Sequence, residues 1–193
     1  MSYARRQEYR RLGRALTAAA GAFVAVLLAL ILAGAGALPF ALPLALTAVL
    51  LGCRAHHWLR LAARSSVGAH TEAEVRRALA GLEAESWKVR HSLRWAGRGD
   101  IDSLAIAPGG LAFAIETKTA GYGSRHLALV REQAAWLWRF RRRWCRHGVV
   151  AVLCVARARG VHRWEDGVLV VSIDCLLPAL LASCPIESVA LAF

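Results

Sequence analysis

The sequence predicts an α/β domain, a mixed sheet flanked by helices, preceded by a two-helix transmembrane hairpin. Three observations predict it. Ala15–Cys53 is a run of 39 residues without one charged side chain. Beyond it, apolar residues switch between the period of a helix and that of a strand, in the order α-β-β-β-α-β-β-α. And Pro108-Gly109-Gly110 separates two strand patterns with a turn signal.

The uncharged run is nearly two spans long, since one helix needs roughly 20 apolar residues to cross a bilayer. Gly34, Gly36, Pro39 and Pro43 lie near its middle, where a turn belongs. Helix one is expected over Leu16–Ala37 and helix two over Pro39–His57, with Trp58 as an interfacial anchor. The run exceeds the usual ~7–15-residue core of a signal peptide, and a second apolar segment follows at once, so an uncleaved anchor is expected. Arg5, Arg6, Arg10, Arg11 and Arg14 precede helix one; Arg54, Arg60 and Arg64 follow helix two. Basic flanks stay inside, so both termini are expected in the cytoplasm, with two spans in the cell membrane. The organisation is then a basic N-terminus (1–14), a hairpin (15–58), a connector (59–67) and a domain (68–193).

Charge follows the same division. The chain carries a net +12, of which residues 1–64 supply +7 and residues 65–193 supply +5. More than half the excess therefore belongs to the membrane flanks, and the remainder is compatible with a polyanionic partner. Five cysteines, at 53, 145, 154, 175 and 184, include no C-x-x-C pair and match no zinc spacing. They read as reduced thiols that pack as small hydrophobes.

Within the domain, Val75, Ala78, Leu79 and Leu82 recur at helical spacing, with Thr71 as the expected cap. Strands are expected over Ser86–Leu93, Ile101–Ala107 and Leu111–Lys118, the last two forming a hairpin. A long helix is expected over Leu127–His147, then strands over Val149–Ala156 and Val168–Ile173. A last helix runs to about Ser183, capped by Asp174.

The chemistry concentrates on that hairpin. Asp102 opens its first strand; Glu116 and Lys118 close its second, two apart and so on one face. Antiparallel pairing brings Asp102 back beside Glu116. Two adjacent carboxylates repel unless a cation lies between them, and an all-oxygen site suits Mg²⁺ or Mn²⁺ rather than Zn²⁺. Such an ion activates water toward a phosphoryl group, and a neighbouring lysine can assist. An isolated E-x-K is common, and Asp102 alone reads as a strand-end residue; the combination is what carries weight.

The segment Gly99-Asp100-Ile101-Asp102, with Pro108-Gly109-Gly110 and Ile115-Glu116-Thr117-Lys118, resembles the hallmark of the nuclease-related (NERD) family of the PD-(D/E)XK nuclease superfamily. The resemblance covers about residues 68–180. It implies a restriction-endonuclease-like core and metal-dependent phosphodiester cleavage. The family's first-helix acid falls on Glu72, its metal-binding acids on Asp102 and Glu116, its lysine on Lys118 and the superfamily's helix glutamine on Gln133. Thr71 stands where family members usually have Gly, His70 is unusual at its place, and Thr119 follows the lysine where Asn is frequent. Nucleic acid is the implied partner, DNA ahead of RNA, and many nucleases of this fold act as homodimers. The alternative is a catalytically inactive cytoplasmic domain that binds nucleic acid or a membrane-proximal partner.

One further stretch bears charge. Arg139, Arg142, Arg143 and Arg146 are expected to share a helical face, turned to a phosphate backbone or to anionic lipid. The plainer expectation is a solvated face, with Trp136, Phe140 and Trp144 packing inward behind it. His70 and His126 are the histidines placed to approach the site.

Overall fold

A computed structural model describes residues 3–95 and 98–184. The chain divides into two compact units, Ala4–Val67 and one that begins at Gly68.

The first unit contains helix α1 (Tyr3–Gly34) and the first part of helix α2 (Leu38–Ala80). The two run antiparallel, because Arg14 stacks on Trp58 while Gly21 faces Leu51. Their seam is made of alanine. Ala15, Ala18, Ala25 and Ala29 of α1 are buried, as are Ala41, Ala48, Ala55 and Ala62 of α2, the latter one per seven residues. Small side chains let two helix backbones approach closely, the usual solution where lipid removes the hydrophobic drive between helices. Leu16, Phe23, Leu30, Phe40, Leu42 and Leu50 point outward, each more than half exposed. Both helices are long and apolar enough to cross a membrane.

Helix α2 corrects two expectations. The connector 59–67 is helical throughout, and Thr71 caps nothing: it lies inside the helix and is buried. Residues 58–70 contain no Pro and a single Gly, Gly68, and their Ala, Leu and Arg residues are good helix formers.

The second unit is a six-stranded mixed sheet with strand order β1-β2-β3-β4-β6-β5. The strands are β1 (Lys88–Arg94), β2 (Asp100–Ile106), β3 (Ala112–Lys118), β4 (Val149–Val155), β5 (His162–Glu165) and β6 (Val168–Ser172). Strands β1 to β3 form an antiparallel meander; β4 joins β3 in parallel, and β6 joins β4 in parallel. The crossover from β3 to β4 is helix α3 (Ser124–Phe140). Helix α4 (Ile173–Ala182) closes the described chain. This is the expected mixed sheet flanked by helices, with one addition: β5, a short and largely exposed edge strand.

Each sheet face buries its own apolar layer. Leu104, Ile106, Ala114, Leu153 and Val170 pack under Leu127, Val130 and Leu137 of α3. Phe113, Ile115, Val152 and Val171 pack under Val75 and Leu79 of α2 and Leu176 and Leu180 of α4. Strands β3, β4 and β6 read as continuous apolar runs because both their faces are covered.

Helix α3 ends earlier than expected. It stops at Phe140, and Arg141–Gly148 form an irregular return. The parallel register sets this limit, because Val149 must lie opposite Ala112 at the far end of the sheet. Cys145 is driven fully into the core of the return, and Gly148 turns the chain at φ 117°. Asp174 is likewise not the cap of α4; Ser172 holds that position, and the Asp174 carboxylate accepts the Gly160 amide at 3.0 Å.

Candidate active site

The β2–β3 hairpin positions the site. Pro108 opens the turn, the Gly110 amide donates to the Ala107 carbonyl at 2.8 Å, and Gly110 itself sits at φ 86°. A turn followed by a left-handed glycine matches the twist of the strands it joins. The strand pairing runs from Ile106↔Ala112 back to Ser103↔Ile115, and the next residues outward are Asp102 and Glu116.

At that end the strands part, and a side chain takes over from the backbone. Asp102 Oδ2 accepts the Thr117 amide at 2.8 Å. Glu116 is buried, and each of its oxygens is held: Lys118 Nζ donates to Oε1 at 2.8 Å, and Gln133 Nε2 donates to Oε2 at 3.1 Å. Gln133 reaches Glu116 from α3, itself 1% exposed, and its Oε1 is buried without a partner. Lys118 keeps about a quarter of its side chain exposed (26%).

Glu72 arrives from α2 on the other side of the cleft. Its side chain is mostly buried and faces Arg76 at 3.6 Å. Thr71 beside it meets the Thr119 hydroxyl at 3.3 Å, which ties α2 to the end of β3. Thr71, Glu72, Asp102, Glu116, Lys118, Thr119 and Gln133 line one cleft of about 380 Å³, together with Trp95, Arg98 and Asp100.

The electrostatics follow from this crowding. The Asp102 carboxyl is pushed well above the usual carboxylate range, by burial first and then by the charges of Glu116 and Glu72. The Thr117 amide and the Lys118 ammonium oppose that shift without cancelling it. His126 also feels this cluster: burial and then Lys118 hold its pKa down, while its Nδ1 accepts the Gly123 amide at 3.1 Å. His70 stays outside the cleft, exposed and paired with Glu74 at 3.2 Å.

The structure therefore brings Glu72, Asp102, Glu116, Lys118 and Gln133 into one cleft. It does not gather Arg139, Arg142, Arg143 and Arg146 on one helical face, because only Arg139 lies on α3. Nor does Phe140 pack inward; it is 55% exposed. Two contributors escaped the sequence reading, the Thr117 amide and the Thr71–Thr119 contact. Thr119 follows the E-x-K pattern directly, so its place was visible although its partner was not.

With this geometry established, comparison with known families adds one finding. Residues 67–151 match the family model described as nuclease-related domain, NERD. Over that stretch the chain is similar to the NERD family. The matched stretch runs from the end of α2 into β4, so the NERD segment contains all five cleft residues. Comparison with curated proteins and with solved structures gives no match.

Proposed function

We propose that the NERD domain hydrolyses phosphodiester bonds of nucleic acid, DNA ahead of RNA, with Mg²⁺ or Mn²⁺ as cofactor. One observation carries the reading: Glu72, Asp102, Glu116 and Lys118 converge on one cleft, although burial first and then the charges of Glu116 and Glu72 force up the Asp102 pKa. Among the described residues, no group of three or more His, Cys, Asp or Glu is arranged to hold a metal ion. The donors that Asp102 and Glu116 offer are all oxygen, which suits Mg²⁺, a cation that binds through one or two carboxylates and completes its shell with water and substrate phosphate. Oxygen donors suit Zn²⁺ less, since it prefers nitrogen and sulfur. The unpartnered Gln133 Oε1 marks the same place as incompletely satisfied.

Asp102 and Glu116 would hold the cation. When bound, it polarises a phosphoryl oxygen and lowers the pKa of a water. Lys118, fixed by Glu116, offsets negative charge developing on the attacked phosphate. Gln133 orients Glu116 from behind. Glu72, across the cleft, would contribute to the cation's shell directly or through a water. The two apolar helices anchor this chemistry at the cell membrane, with both termini cytoplasmic.

A second reading rests on the closed Glu116–Lys118–Gln133 network, which satisfies both Glu116 oxygens without a cation. On that reading the domain binds nucleic acid or a membrane-proximal partner and cleaves nothing. The deciding experiment uses the full chain in detergent, since α2 runs unbroken from Leu38 to Ala80. Labelled single- and double-stranded DNA and RNA are incubated with Mg²⁺ or Mn²⁺. Cleavage is expected to require the metal and to fall at least ~100-fold in Glu116→Ala and Lys118→Ala. A folded chain that cleaves none of these substrates returns the domain to the binding class.

A further inference from the structure

The opposite end of the same hairpin carries the opposite charge. Around the Pro108–Gly110 turn lies a second cleft of about 430 Å³, walled by Lys88, Arg90, Arg143, Trp144, Arg146 and His147. Lys88 and Arg90 project from β1; the others belong to the irregular return after α3. All five basic side chains are exposed, and none takes part in the acid–base pairs formed among the described residues.

The cleft is built rather than incidental. The Arg90 guanidinium lies 4.4 Å from the Trp144 ring centre, and Arg141 lies 5.3 Å from it. An aromatic face holds these cations in place and leaves their N–H groups able to donate. The return is fastened to the hairpin turn: the His147 amide donates to the Gly110 carbonyl at 3.2 Å. Arg146 packs so closely on Gly110 that a Cβ there would stand 3.1 Å from the Arg146 Cβ. Four permanent cations around one concavity repel each other, and a polyanion relieves that cost.

The two clefts share one side of the sheet. Lys88 and Arg90 pair with Ile106 and Leu104, which pack under α3. Asp102 and Glu116 follow the same two-residue alternation onto that side. From Ala112 to Lys118 the strand rises about 20 Å, or about six stacked nucleotides at ~3.4 Å each.

We infer that this basic cleft anchors the phosphodiester backbone of a nucleic acid and supplies the affinity that the acidic cleft cannot. The inference rests on the nucleic-acid reading of the domain but not on catalysis. Without a cation the acidic cleft repels a phosphate, so a strand bound in EDTA needs a separate basic foothold. The concave form favours a strand over a lipid surface, which is met by protruding side chains.

The test measures binding by fluorescence anisotropy, with the full chain in detergent, EDTA present, and a labelled 12-nucleotide single strand. The double variant Arg143→Glu/Arg146→Glu is expected to weaken binding at least tenfold. It should also flatten the salt dependence by about 1.4 in log–log slope, at ~0.7 per lost contact on single strands. Arg143→Lys/Arg146→Lys should bind within threefold of wild type, which separates lost charge from lost fold. Arg77→Glu, on α2 across the sheet, should change little. Unchanged binding in the Glu variant overturns the inference, as does equal loss in Arg77→Glu or no binding by wild type. So does a Glu variant whose only defect is weaker retention of added phosphatidylglycerol. Binding that survives in EDTA while Mg²⁺ yields no cleavage removes the enzyme alone and leaves this site standing.

Discussion

A strand end can carry Ser or Asn at no electrostatic cost, yet this chain carries Asp102, whose carboxyl is raised by burial, Glu116 and Glu72. Its neighbour Ser103 faces the other side of the sheet and meets a second perturbed group: the hydroxyl lies 2.9 Å from His91 Nδ1. His91 is held below its ordinary pKa, first by burial and then by the Arg76 guanidinium, with Glu83 opposing. The unfolded chain therefore binds a proton near pH 6.5 that the folded chain refuses until lower pH. Stability from this group is present above pH 6.5 and is lost as pH falls toward the folded pKa. We predict that wild type loses stability below pH 6.5 relative to His91→Gln, by at most ~1.4 kcal/mol per pH unit. Thermal midpoints of both proteins between pH 5 and 8 check it, and parallel curves would exclude His91 as the source. Legibility at this scale divides by distance along the chain. Asp102, Glu116 and Lys118 were legible because a two-residue period and one turn suffice to place them. The resemblance to NERD sequences added Glu72 and Gln133. The Thr71–Thr119 contact joins residues 48 apart, and no local pattern encodes it.

At the scale of elements, strands β2, β3, β4 and β6 lie within a residue or so of expectation, since alternation and punctuation delimit them. The ends of the helices do not. Apolar periodicity continues past Phe140 through Trp144, but β4 must begin beside Ala112, and that tertiary demand ends α3 early. Strand β5 (His-Arg-Trp-Glu) has no buried residue and hence no apolar signature; its antiparallel pairing with β6 makes it a strand. The β2–β3 turn is where element geometry is most exposed to a single change. Gly110 combines φ 86° with the close approach of Arg146. Gly110→Ala is predicted to cost more than about 1 kcal/mol, because alanine pays both for the left-handed backbone and for displacing Arg146. Thermal unfolding should show a drop of at least ~2 °C. Gly109→Ala, at a neighbouring residue without positive φ, serves as the control, and equal loss in both would refute the argument from φ and contact.

For the whole molecule, charge and hydropathy point to a membrane hairpin, and the two described helices have the length it needs. What composition concealed was the seam. Alanine is abundant throughout the chain, so the seven-residue recurrence of Ala41, Ala48, Ala55 and Ala62 stands out only once burial singles out those four. The basic end of the hairpin is fixed from within, since the Arg11 guanidinium donates to the Leu61 carbonyl at 2.9 Å and to the Ser65 hydroxyl. Opening the hairpin would therefore strand a cation as well as separate the alanines. If basic flanks remain inside, the turn at Ala35–Ala37 is the one segment of the hairpin that reaches the outer side. A cysteine introduced by Ala35→Cys should then react with a membrane-impermeant maleimide in intact cells. One introduced by Ala4→Cys should react only after lysis. The native cysteines supply the background, read from wild type treated alike. Labelling of Ala35→Cys solely after lysis, or of Ala4→Cys in intact cells, would overturn the orientation and, with it, the proposed cytoplasmic placement of the sheet domain.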